Sequence, residues 1–326
     1  MKNTLLMFLS CSLLTALSAS SQNKANLHLL HNYHVEGGGK WDYLLADPSS
    51  DKLYVSHGTS VNILNKKTGE PLGLIPNTLG VHGIVLVKNL DKGYISNGKT
   101  GDCTVFNITT DKEIGRIKTG ENPDAMLYDD YSKKLFVFNG KSADATVIDP
   151  ITDKVIATIP LGGKPETGVS NGKGIIFVNI EDKNEVVCFN ADDYKVLKRY
   201  SLKTGEEPSG LAIDRSTSRL FIGCANKIML VMDISGGKII SSVPIGEGSD
   251  GIAFDPVLNQ IYSANGEGTI TVIKTSAKDK YRVSQTLKTI PGARTISLDA
   301  NTHHIFLSVG DKSLEPGTFS VLEYGM

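Results

Sequence analysis

The chain has 326 residues, 40% of them hydrophobic and 21% charged, and its formal net charge is −1. That length and apolar content support a large buried core and exclude an intrinsically disordered chain. The near-balance of charge excludes the basic stripe needed to neutralise a phosphate backbone, so no nucleic-acid partner is expected.

Lys2 precedes an apolar stretch from Leu5 to Leu17, and the small-residue run Ser18, Ala19, Ser20, Ser21 follows. This is the layout of a secretory signal peptide, and it predicts export to the periplasm or beyond. The boundary falls near residue 20, with residues 21–326 as one domain. Leu9-Ser10-Cys11 offers a competing lipobox reading with a lipid anchor on Cys11, but the apolar region runs on past Cys11 and favours cleavage beyond it. No later apolar run approaches the roughly 20 residues that span a bilayer. The remaining Cys103, Cys188 and Cys224 are odd in number and lack CxxC spacing, so they are expected as buried free thiols.

The segment LHLLHNYHVEGG at 27–38 reads as a strand, with His28 and His34 on one face and His31 on the other. A repeat then begins. Aligned on PDAMLYDDYSKKLFVFNG at 123–140 and SDGIAFDPVLNQIYSANG at 249–266, the chain falls into seven units. Their reference residues are Asp42, His82, Asp124, Glu166, Ser209, Asp250 and Arg294, at intervals of 40, 42, 42, 43, 41 and 44. Each unit carries four short strands, of which IAFD, LFVF, ATVID and VIATI are examples. Strands at this spacing without a helical period predict an all-β, seven-bladed propeller of four-stranded antiparallel blades.

Seven residues before each reference position stand Val35, Ile75, Ile117, Ile159, Leu202, Val243 and Leu287, all aliphatic, as a fourth strand packed between blades requires. Val35 precedes any complete unit, while the last unit, ending VLEYGM, has only three strands. The N-terminal strand is therefore expected to complete the last blade, which removes two open sheet edges.

The strands LYVSHG, LFVFNG and IYSANG, with DPITDKVIATIP at 149–160, resemble the YVTN-type seven-bladed propellers that include the YncE-like periplasmic proteins. The resemblance covers essentially all of the chain after the leader. It implies a secreted binding or surface protein, and because this fold hosts enzymes, binders and scaffolds alike, function has to be argued from the site.

The reference residues are expected to ring the mouth of a central funnel. His57, Asn97, Asn139, Asn179, Cys224, Asn265 and Val309 form a second ring outside them. A residue repeated across blades points to a task every blade shares, such as bonding a turn, and Asp42, Asp124, Asp250 and the Asn positions carry that structural reading. Residues that break the pattern point to a specific site: Trp41, His57, His82, Glu166 and Arg294. Trp41 either packs under the rim or offers a flat face to a ligand. His57 and His82 are expected to be neighbours. Arg294 suits a carboxylate or phosphate on a guest, or a salt bridge to Asp42 or Asp250. The expected ligand-binding set is Trp41, Asp42, His57, His82, Asn97, Asp124, Asn139, Glu166, Asn179, Asp250, Asn265 and Arg294.

No catalytic residue, metal or cofactor is assigned. A metal would draw on His57, His82, Asp42 and Asp124, but ring positions a blade apart stand far for bonds near 2 Å. Quinoprotein-like propellers use many tryptophans where this chain has one, haem attachment needs a CxxCH that is missing, and a copper cluster needs more rim histidines than His82. GxSxG occurs once, as GVSNG at 168–172, and no nucleophile elbow is assigned to it. The principal reading is a monomeric, non-enzymatic binding or scaffold protein of the cell envelope. The alternative is a metal-dependent hydrolase of the lactonase type, with calcium held by Glu166, Asn97, Asn139, Asn179 and Asp124. The opposite rim, with Asp47-Pro48, Asp255-Pro256 and His303-His304, offers a second face.

Overall fold

The middle strands of each unit are apolar on both faces, as in Leu135, Phe136, Val137 and Phe138, all fully buried. Only a strand covered by sheets on both sides has a use for such a run. The computed structural model, which describes residues 26–310 and 317–326, shows what covers them. The expected leader and Cys11 lie outside the described residues. Among these, 28 strands form seven four-stranded antiparallel sheets. Six are consecutive stretches of chain: 41–75, 81–118, 123–160, 165–201, 208–244 and 249–288. They are blades 1 to 6.

Blade 7 is built from both ends of the chain, as expected. Ser297–Asp299 lies innermost, followed by His304–Val309 and Ser320–Gly325, and His28–His34 completes the outer edge. Tyr33 pairs with Val321, and the Val35 amide donates to the Phe319 carbonyl at 3.0 Å. Glu323, buried beneath this seam, accepts from Tyr33 Oη at 2.6 Å, His31 Nδ1 at 2.8 Å and His304 Nδ1 at 2.7 Å. Gly69 in blade 1 makes room for Tyr33: its φ is +74°, and a Cβ there would stand 2.1 Å from the ring.

The core lies between blades. One cluster joins Phe136, Phe138 and Ile159 of blade 3 to Ile176, Val178 and Phe189 of blade 4, and another joins Val35, Phe319 and Val321 to Leu53 and Val55 of blade 1. Six of the seven aliphatic positions are buried there; Leu287 is half-buried against the blade 6–7 cluster. Cys103, Cys188 and Cys224 are buried free thiols. No helix among the described residues is long and apolar enough to cross a membrane.

On one rim, five of the seven innermost strands close on an Asp that accepts the turn amide two or three residues on: Asp47 from Ser49, Asp129 from Ser132, Asp214 from Ser216, Asp255 from Val257 and Asp299 from Asn301, at 2.9 to 3.1 Å. These are turn-closing side chains, each contributing about 1 kcal/mol. They give Asp47 and Asp255 of the opposite face a structural task.

Candidate functional site

The other rim is built differently. In each of blades 1 to 6 the register between the first two strands slips at the ring residue: between Trp41 and Leu44, Val81 and Ile84, Pro123 and Met126, Pro165 and Gly168, Pro208 and Leu211, Ser249 and Gly251. A bulge bends the strand and re-aims the side chain it carries. Asp42, His82, Asp124, Glu166, Ser209 and Asp250 all sit in these bulges, and Arg294 precedes the short inner strand of blade 7.

The ring divides into two arcs. In blades 1 to 3, His82 Nδ1 donates to Asp42 Oδ2 at 2.5 Å and stands 3.7 Å from Asp124 Oδ1. Ligand atoms of these three residues lie within 4.8 Å of one another, closer than the spacing of blades suggests from sequence. Asp124 is 8% exposed, and no donor among the described residues lies within hydrogen-bond distance of its carboxylate. In blades 5 to 7, Asp250 accepts from Ser209 Oγ at 2.5 Å and from Arg294 Nε at 2.6 Å. Arg294 thus makes the salt bridge to Asp250 while its side chain stays 45% exposed. Between the arcs, Glu166 pairs with Lys164 at 2.9 Å, and Lys164 also contacts Glu181.

Burial governs the protonation of this ring. It pushes Glu166 up to about 8 and Asp124 up to about 7, with neighbouring carboxylates adding to both shifts and nearby cations opposing them. Burial also raises Asp42 despite its bond to His82. For His82 burial acts downward, but the bond to Asp42 and the charges of Asp124, Asp42 and Glu166 outweigh it and lift the imidazole to about 9. The second imidazole nitrogen lies against Gly98, where a Cβ would stand 2.8 Å from Nε2.

Two residues at the site escaped the sequence reading. Tyr43 packs against the blade 3–4 cluster around Phe136 and Phe138, reaching across the axis from blade 1. Burial, reinforced by Asp124, Glu166, Asp42 and Asp250, holds its phenol well above the usual range and therefore neutral. The signal was present, since the other blades place Gly83, Ala125, Thr167, Gly210, Gly251 and Thr295 there, all small. Lys164 carried no comparable signal.

The outer ring turns inward, into the blades. Asn97, Asn139 and Asn265 are fully buried. Asn97 Nδ2 donates to Asp102 at 2.8 Å and Thr104 at 2.9 Å, Asn139 to Asp144 at 2.6 Å and Thr146 at 2.9 Å, and Asn265 to Thr269 Oγ1 at 3.0 Å and Thr271 at 3.2 Å. They lock the second strand to the third. Asn179 is out of register: Pro165 pairs with Ile180 where Pro123 pairs with Asn139, so Ile180 is the equivalent residue. A one-residue offset faces a strand side chain the other way, and Asn179 accordingly donates to the Ser209 and Gly210 carbonyls of blade 5, at 2.9 and 3.2 Å. The Oδ1 atoms of Asn97, Asn139 and Asn179 are buried without a partner.

His57 and His82 face different neighbours, contrary to expectation. The His57 ring is buried and stacked on Phe319, centroids 3.9 Å apart, and burial lowers it to about 4, so it is neutral. Trp41 leans toward blade 7, its Nε1 3.4 Å from the Gly292 carbonyl and its ring 6.1 Å from Phe319. A Cβ on Gly310 would meet this indole at 2.8 Å. Both residues break the repeat because they pack the seam. Cys224 and Val309 are buried.

No family model and no curated protein matches this chain. Among solved structures, hydrazine synthase of Kuenenia stuttgartiensis is similar with a TM-score of 0.70 at 15% identity, over 81% of this chain and 91% of that one. Identity that low carries the architecture alone, and the likeness to YVTN-type propellers is one of repeat motifs. The chain is a seven-bladed β-propeller.

Proposed function

We propose that this propeller is an exported binding or scaffold module of the cell envelope, which holds a small polar ligand, or a polar group of a partner, at the funnel mouth without transforming it. The observation that carries this reading is the pair of oppositely equipped arcs. Asp124 lies in one with Glu166 buried beside it between the arcs, and the partly exposed Arg294 guanidinium stands in the other. A ligand bearing both signs of charge matches that distribution, its cationic end toward Asp124 and Glu166 and its anionic end toward the Arg294 fork. Trp41 serves as a wall of the seam. Ser209 contacts two carboxylates, Asp250 at 2.5 Å and Glu166 at 3.5 Å, and so is placed as a hydrogen-bonding group.

The test is a panel of amino acids and small hydroxy acids, offered to chelator-stripped protein and followed by calorimetry. A bound member whose affinity falls at least tenfold in both Arg294→Ala and Glu166→Gln, at unchanged secondary structure, supports the reading. Wild-type affinity in both variants moves the site away from the funnel.

A further inference from the structure

We propose that Asp42, His82 and Asp124 form a binding site for a first-row divalent cation at the funnel mouth, with Zn²⁺ the ion that their donor set fits. The inference deepens the reading of the funnel as a binding site and rests on it.

Three independent features meet here. Bulges at the start of three successive blades aim one imidazole and two carboxylates at a common point, their ligand atoms within 4.8 Å of one another. The members come from separate blades, whose spacing is fixed by the packed cores between them, so the site is held by rigid elements. The Asp124 side chain is 12% exposed, and the one ion-pair partner of its carboxylate among the described residues is His82 Nδ1, 3.7 Å from Oδ1. A mostly buried carboxylate with one distant partner has room to gain from a closer cation.

The donor chemistry narrows the ion. One nitrogen and two oxygens leave at least one position open toward the funnel, the pattern of a three-ligand zinc site. Calcium and magnesium prefer all-oxygen shells, while imidazole favours zinc and its transition-metal neighbours. Two donors on one tetrahedral zinc, each about 2 Å from it, stand about 3.3 Å apart. His82 Nδ1 and Asp42 Oδ2 are 2.5 Å apart, so the pair must part slightly as the ion enters. The Nδ1–H bond breaks as the Nδ1–metal bond forms, and the proton leaves to solvent. With the ion in place, the cation at this end of the funnel is the metal, and a neutral or anionic oxygen donor of the ligand would complete its shell.

The experiment uses the full chain purified without a metal-affinity tag, stripped with chelator and titrated with Zn²⁺ by calorimetry, and with Co²⁺ by visible absorption. One equivalent is expected to bind, with the d–d bands of a nitrogen–oxygen site. His82→Gln and Asp124→Asn should each weaken it at least 100-fold, while a His31→Gln/His304→Gln double variant should leave it unchanged. Stoichiometric binding that survives both His82→Gln and Asp124→Asn overturns the assignment, as does a wild-type protein that takes up no ion. The wild-type titration needs no variant to fold. If stripped protein still binds the charged panel but takes no Zn²⁺, the metal fails and the funnel reading stands. If Zn²⁺ binds stoichiometrically through these residues and the panel binds neither stripped nor loaded protein, the metal stands and the polar-ligand reading fails.

Discussion

Blades 2, 3 and 6 and the seam between blades 7 and 1 fill the same position with different chemistry. In the regular blades a buried Asn ends the second strand and ties it to the third through Asp or Thr. At the seam His57 takes that place and stacks a neutral ring on Phe319, with Trp41 beside it. The contrast shows that a break in the repeat has two separate causes. Unique residues such as His57 and Trp41 serve the junction where first and last strands meet, and those of the ring are candidates for a ligand site.

The comparison is broken most forcefully at Phe319, which is 1% exposed and touches both seam residues. Phe319→Ala should cost about 3–5 kcal/mol in chemical denaturation, and a loss under about 1 kcal/mol would mean the seam does not depend on this stack. Asn139→Ala probes the regular blades: it strips Asp144 and Thr146 of a buried donor and should cost about 1–3 kcal/mol. It should leave every funnel titration unaltered, and a change in ligand binding would place the outer ring in the site. The smallest effect concerns pH. Because the folded-state value of Glu166 is raised, the folded chain holds its proton more tightly than the unfolded chain, and that contribution is full below about 4.5 and lost as pH rises through about 8. Glu166→Gln should therefore gain on the order of 1 kcal/mol relative to wild type between pH 5 and pH 9. An unchanged difference across that range would show that Glu166 is ionised throughout.

Blade count, strand order and closure were legible in the sequence because they follow from a period, and a period survives local exceptions. Val35 could be placed on the last blade from one aliphatic offset. The site was legible only in part. The ring residues were found, but their convergence depends on bulges, which leave no mark in an alignment of apolar strands. Asn179 was misplaced because the first hairpin of blade 4 is shorter: Asn179 stands 13 residues after Glu166, whereas Asn139 stands 15 after Asp124. Tyr43 was missed because the search for exceptions stopped at the ring and did not extend one position along the strand. Phe319 and Glu323 belong to no repeated position and act only through the chain ends they join.

The buried Glu323 clasp couples residues 290 positions apart. The ring cannot close before Ser320–Gly325 has been synthesised, because that strand is the one His28–His34 pairs with. Circle completion is thus among the last events of folding and among the slowest to nucleate, since contacts this remote in sequence carry the largest closure entropy. An amino-terminal strand held by a chaperone would keep every wedge formed and the wheel unlocked.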